Sequence, residues 1–109
     1  MTDKQQLEAL IAMLEQADRP SRELDRRMRL AAEALGVRLS RAVLRYTESI
    51  DSALSLVPDG YNWHLITEFD GINAAVFPPG NAADYPDVTA PKPAIALCIA
   101  ALRARLADD

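Results

Sequence analysis

One histidine, His64, and one cysteine, Cys98, are the residues from which nucleophilic chemistry would have to be built in this chain. A thiolate beside an imidazole works when the two side chains meet and the thiol is partly exposed in a positive setting. The spacing argues against that pair. His64 stands between Trp63 and Leu65 in a stretch that reads as a strand, so it points to the face opposite theirs. Cys98 falls mid-helix on an apolar stripe, where a cysteine behaves as a small buried hydrophobe. No metal centre is expected, since one His and one Cys far apart among scattered carboxylates do not converge. Asp84 and Asp87 read as part of a solvated proline-rich loop, and Glu68 and Asp70 as residues of a turn. The dispersed glycines Gly36, Gly60, Gly71 and Gly80 make no phosphate loop, and no cofactor is implied. What is left is a row of arginines. Arg22, Arg26 and Arg29 share one helical face that could meet an acidic protein surface or a phosphate backbone. The plainer reading is a solvated outer face, partly neutralised by Glu33 four residues beyond Arg29, and it is the preferred one.

The elements that must position these residues are an antiparallel hairpin and the helices that cover it. Residues 61–77 read as two strands joined at Asp70-Gly71, a pair suited to a tight two-residue turn. That turn sets Phe69 opposite Ile72, Thr67 opposite Ala74 and Leu65 opposite Val76. One face then carries Tyr61, Trp63, Leu65, Phe69, Ile72 and Val76, expected to be sealed under helices, with Trp63 and Tyr61 as core rather than base-stacking platforms. The second face, with His64, Ile66, Ala75 and Phe77, is half-apolar and needs a helix, a partner chain or a ligand over it. Leu7, Leu10, Ile11 and Leu14 space out one stripe of a helix over 3–16, and Ser21 caps a second helix with Leu24, Met28, Ala31 and Leu35 inward, ending at Gly36. These two should pack as a hairpin. Residues 37–46 have no clean period. Thr47 is the expected N-cap of a short helix over 48–57, with Ile50, Ala53, Leu54 and Val57 inward. The proline-rich stretch 78–93 leaves room for a short strand over 84–89 that Pro86 confines to an edge. A last helix from Pro93 places Ile95, Cys98, Ile99, Leu102 and Leu106 on the sheet. The expected core is therefore Trp63, Leu65, Phe69, Val76, Ile95, Cys98 and Leu102, in a single α+β domain.

With 109 residues, half of them apolar, the chain has the size and composition of one globular core. No run is long enough to span a membrane, no secretion-signal layout opens the chain, and a lone cysteine argues for no oxidising compartment, so a cytoplasmic protein is expected. The net charge of −4 speaks against wholesale nucleic-acid binding, although eight arginines over 19–45 against three acids leave that segment basic and the rest strongly acidic.

The words of the sequence are also those of a family. Arg45-Tyr46-Thr47-Glu48-Ser49-Ile50-Asp51-Ser52-Ala53-Leu54, Leu56-Val57-Pro58-Asp59-Gly60 with the Trp63 strand, and the closing Pro93-Ala94-Ile95-Ala96-Leu97-Cys98-Ile99-Ala100-Ala101-Leu102-Arg103-Ala104-Arg105 resemble the phage ABA sandwich domain family. The likeness covers about residues 45–106, and Pro20-Ser21-Arg22-Glu23-Leu24-Asp25 is similar to the family's leader. Lys92-Pro93 departs from the Thr-Pro that usually opens the closing helix, and the leader is more basic than usual. The resemblance implies an α/β sandwich and a phage or prophage origin, and transfers no functional residue. The expectation is a non-enzymatic accessory protein that binds a host or phage protein, with inhibition of a CRISPR-type defence complex one member of that set. A nucleic-acid-associated protein using the arginine helix and a small-ligand binder are the alternatives, the latter requiring a pocket beside the second sheet face.

Overall fold

The computed structural model describes residues 3–19, 21–34, 46–69, 71–81, 84–85 and 87–107. Leu35, the helix stop at Gly36, most of the 37–46 stretch, Asp70 and Pro86 lie outside the described residues. The chain runs α1 (Asp3–Gln16), α2 (Arg22–Ala34), α3 (Ile50–Leu54), β1 (Asn62–Glu68), β2 (Gly71–Phe77), β3 (Val88–Ala90) and α4 (Pro93–Ala107). This is an α+β arrangement, a three-stranded antiparallel sheet in the order β1-β2-β3 covered by helices, with an N-terminal helical hairpin.

Everything is arranged about α4. Its residues Ala94 to Leu102 and Ala104 are all buried, and it meets solvent only in its last turns, at Arg103 and Ala107. A helix apolar all round belongs at the centre of a core, and α4 packs against β2 and β3 as well as against α1 and α3. The expected stripe of Ile95, Cys98, Ile99, Leu102 and Leu106 on the sheet understates it, since the alanines between them are buried too. Leu7, Leu10, Ile11 and Leu14 of α1 are buried, and Arg103 on α4 reaches Glu15 at 2.9 Å. Helix α2 lies against α1, with Met28 and Ala32 inward and Leu24 and Ala31 half-buried.

The hairpin pairs two residues away from the expected register. Glu68 stands opposite Gly71, Thr67 opposite Ile72, Leu65 opposite Ala74 and Trp63 opposite Val76. The chain therefore reverses between Glu68 and Gly71, and Gly71 opens β2. Gly71 has φ +153°, and a Cβ there would lie 3.1 Å from Thr89 Cγ2 and 3.3 Å from Ala90 O. The glycine is needed where β3 passes close, more than at the centre of a turn. A slip of two residues keeps the side-chain parity, so the two faces contain the residues expected of them.

Two of the expected core residues are not in the core. Phe69 stands on the turn and is 108% exposed, and Trp63 is 45% exposed. The reason is topological: α4 packs on β2 and β3, whereas β1 is the outer strand and overhangs the helix. Leu65 is half-buried against the cluster, while Val76, Ile95, Cys98 and Leu102 are inside it. The inner face is made by Ala74, Val76, Val88 and Ala90, so the aromatic seal is replaced by small and branched residues on the two inner strands. The third strand is confined to 88–90, shorter than expected, with Asp84 and Tyr85 in a turn before it.

Candidate functional site

Helix α2 is held in place by a polar knot. Ser21 Oγ accepts from the Leu24 N–H at 3.3 Å, the N-cap expected from sequence. Thr47, however, does not cap the next helix. That position belongs to Ser49, whose backbone is extended and whose Oγ accepts from Ser52 N–H at 3.3 Å, so α3 covers only Ile50–Leu54 and Ile50 is exposed. Thr47 is fully buried, and its amide and hydroxyl both donate to Asp25 Oδ1, at 2.8 and 2.7 Å. Its hydroxyl oxygen also accepts from Ser21 N–H at 2.9 Å. A loop 22 residues further along the chain thus grips the first turn of α2.

That grip presents the arginine face. Arg22, Arg26 and Arg29 are exposed as expected, but they are not equivalent. Arg29 pairs with Glu33 at 3.7 Å, and the neighbouring Arg27 with Glu23 at 3.2 Å, both one turn apart on the helix. Arg22 and Arg26 have no carboxylate partner among the described residues. Beside this face, Gln6, Ala9, Leu10 and Met13 of α1 meet Arg27, Leu30 and Ala31 of α2 around a cleft of about 340 Å³. Leu30 is 61% exposed at its rim. The sequence reading omitted Leu30, although its position off the stripe of Leu24, Met28 and Ala31, on the polar side of an amphipathic helix, was a signal.

The two reactive residues are kept apart by the sheet. Cys98 lies in α4, and its thiol donates to the Tyr46 carbonyl at 3.2 Å. Burial, and then the charge of Asp25, push the thiol well above its ordinary range. Tyr46 is itself fully buried, with its phenol also pushed up by burial. Its hydroxyl meets no described partner at hydrogen-bond geometry, although Ser55, whose own hydroxyl donates to the Ser52 carbonyl at 2.5 Å, lies near it. On the far face, His64 Nε2 lies 3.2 Å from Asp87 Oδ1 and its ring meets Phe77 edge-on at 5.9 Å. Both partners are roughly two-fifths exposed. Continuing the strand register by one residue sets Asp87 opposite Ala75, so the pair bridges over the Ala75 methyl and buries it. Part of the second face is thereby covered by its own side chains, while Ile66 stays 45% exposed. Asp87 is thus the partner of His64, and Asp84 stands exposed. Among the described residues no three His, Cys, Asp or Glu groups gather at a metal-binding distance. A second, small cleft of about 70 Å³ lies between Val76, Tyr85, Val88, Ala100 and Arg103, and neither cleft adjoins the His64 face. Among the described residues no helix is long and apolar enough to cross a membrane. No protein-family model, curated protein or solved structure matches the chain.

Proposed function

We propose that this chain is a non-enzymatic binding module, of the kind a phage or prophage encodes, whose α1–α2 surface takes an acidic amphipathic segment of another protein. Leu30 carries the reading: a large apolar side chain left mostly in water, at the rim of an apolar cleft and one turn from Arg26 and Arg27. An apolar anchor seated in a cleft, ringed by cations, suits a helix or loop bearing leucine-like residues and carboxylates. A phosphate backbone would use Arg22 and Arg26 equally well, but would have no use for Leu30. The phage or prophage origin rests on the resemblance over residues 45–106, which makes host factors, including defence complexes, and phage proteins the partner class.

The test is affinity purification from a host-cell lysate with the intact chain, with Leu30→Ser, and with Arg22→Glu plus Arg26→Glu. All three of these side chains are exposed, so the thermal midpoint should not move. The intact chain should retain a stoichiometric protein, and each variant should weaken that complex by about tenfold or more. A complex indifferent to both variants removes the site. Binding to nucleic acid that falls steeply with salt and ignores Leu30→Ser would transfer the arginine face to the alternative reading.

A further inference from the structure

The hairpin tip and the outer strand expose more large apolar surface than any other described part of the molecule. Trp63 and Ile66 are each 45% exposed, and Phe69 is 108% exposed. Trp63 lies on the face toward α4 and Ile66 on the opposite face. No partner docking on one face could cover both. A strand added to the edge would.

The two edges of the sheet differ in how they meet that risk. Proteins blunt free edges with short strands, lysines, prolines or bulges. β3 is three residues long, ends against Pro91, and so offers little to pair with. β1 is seven residues long, pairs without a bulge along its whole length, and contains neither lysine nor proline. No described strand lies on its outer side.

We infer that β1 is a self-association edge, on which a second copy of this chain adds its own β1 antiparallel about a two-fold axis. The strand's own sequence supports this occupant. Full overlap of Asn62–Glu68 in both copies centres the axis on Leu65. Glu68 then faces Asn62 of the partner subunit, so the strand's one carboxylate meets no like charge. His64 faces Ile66 of the partner subunit, and Trp63 faces Thr67 of the partner subunit. One step beyond, Phe69 falls opposite Tyr61 of the partner subunit, beside the edge-to-face Tyr61–Tyr85 pair whose rings lie 6.3 Å apart within each copy. The pairing therefore gives the fully exposed phenylalanine an aromatic seat. Trp63, Ile66 and Phe69 expose on the order of 400 Å² per copy between them, which makes this a weak, concentration-dependent dimer.

Sedimentation equilibrium of the full chain, from about 1 to 300 μM, tests it over the range expected of an interface this small. The intact protein should shift from monomer to dimer within that range. Ile66→Lys places a charge on the edge, and Phe69→Ser removes the side chain that the fold itself does not use. Each should raise the dissociation constant by about tenfold or more, with circular dichroism and thermal midpoint at low concentration unchanged. A protein monomeric throughout the range overturns the inference. So does a dimer whose dissociation constant ignores Phe69→Ser, which cannot be blamed on misfolding at a side chain wholly in water.

Discussion

Replacing Thr47 by valine tests whether the knot at the start of α2 holds the N-terminal hairpin in place. Valine fills the same volume, so no cavity enters the account. The substitution deletes the hydroxyl bond to Asp25 Oδ1 at 2.7 Å and leaves the Ser21 N–H, 2.9 Å from the same oxygen, without its acceptor. The hydroxyl also lies 3.3 Å from the Ser21 carbonyl, but it has one proton and the shorter contact to the carboxylate takes it. A hydrogen bond to a charged group contributes about 1.5–3 kcal/mol, and an orphaned buried amide costs about 1–3 kcal/mol. Two things reduce the sum. Asp25 keeps the Thr47 amide at 2.8 Å, and its carboxylate is only half-buried, so water can replace part of what is lost.

The net loss should be about 2–4 kcal/mol, out of the roughly 5–15 kcal/mol that holds a domain of this kind together. In thermal terms that is a fall of roughly 8–16 °C. Urea unfolding followed by far-ultraviolet circular dichroism would read it as a lower midpoint at unchanged slope. Asp25→Asn is the control, since an amide oxygen at the same place still accepts from both Thr47 donors, and it should cost less than Thr47→Val. A Thr47→Val loss under about 0.5 kcal/mol, the range of an ordinary surface change, would refute the knot. An Asp25→Asn variant less stable than Thr47→Val would refute the assignment of which group accepts.

Tyr46→Phe removes a buried hydroxyl that has no described partner, so stability should be unchanged or rise by up to about 1–2 kcal/mol, measured by the same urea titration; a loss beyond about 1 kcal/mol would show the hydroxyl to be satisfied. Alkaline pH should destabilise the fold through Cys98. Its folded pKa is raised above the ordinary 9.0, so the stabilisation is fully present below that value and is lost as pH rises, when the unfolded chain releases a proton that the native state retains. Between about pH 8 and 10 that thiol accounts for roughly 1.4 kcal/mol. Cys98→Ala should flatten the stability profile over that interval, and a profile identical in both proteins would contradict the burial of the thiol.

What was legible in the sequence is what repeats. The Leu7, Leu10, Ile11, Leu14 spacing marked α1 and its buried face, and Ser21 after Pro20 marked the start of α2, because period and capping are local properties. The hairpin faces were legible for the same reason, since alternation does not change under a slip of two. The register was not, because Asp70-Gly71 is a strong turn signal while the demand on Gly71 comes from Thr89 and Ala90, remote in sequence. Thr47 misled in the same way: it has the chemistry of a cap, and Asp25 uses it instead. Trp63 and Phe69 are expected in the core because they share a strand face with Leu65, Ile72 and Val76. Their exposure follows from which strand is outermost and where α4 lies, and neither is written in a strand's own pattern. Of the candidate site, the arginines were visible and the Leu30 cleft was not, because a cleft belongs to two helices at once.

The placement of α4 bears on function as much as on stability. A helix with apolar residues on every side draws in the sheet at one flank and α1 and α3 at the other, and takes the sole cysteine with it. The features left at the surface are of another kind: a cationic rim with one exposed leucine on α2, and an apolar strand edge on β1. Helix α2 packs on α1, whereas the sheet packs on α4, so the two surfaces belong to different layers of the molecule. Pairing through β1 would leave both α2 clefts open, one on each copy. Two weak sites held on one dimer engage a repeated or paired partner with far greater avidity than either site alone. Phe69→Ser would then lower partner capture without touching the α2 cleft, whereas Leu30→Ser would lower capture without touching dimerisation. Measuring both variants in both assays separates a bivalent binder from two unrelated patches.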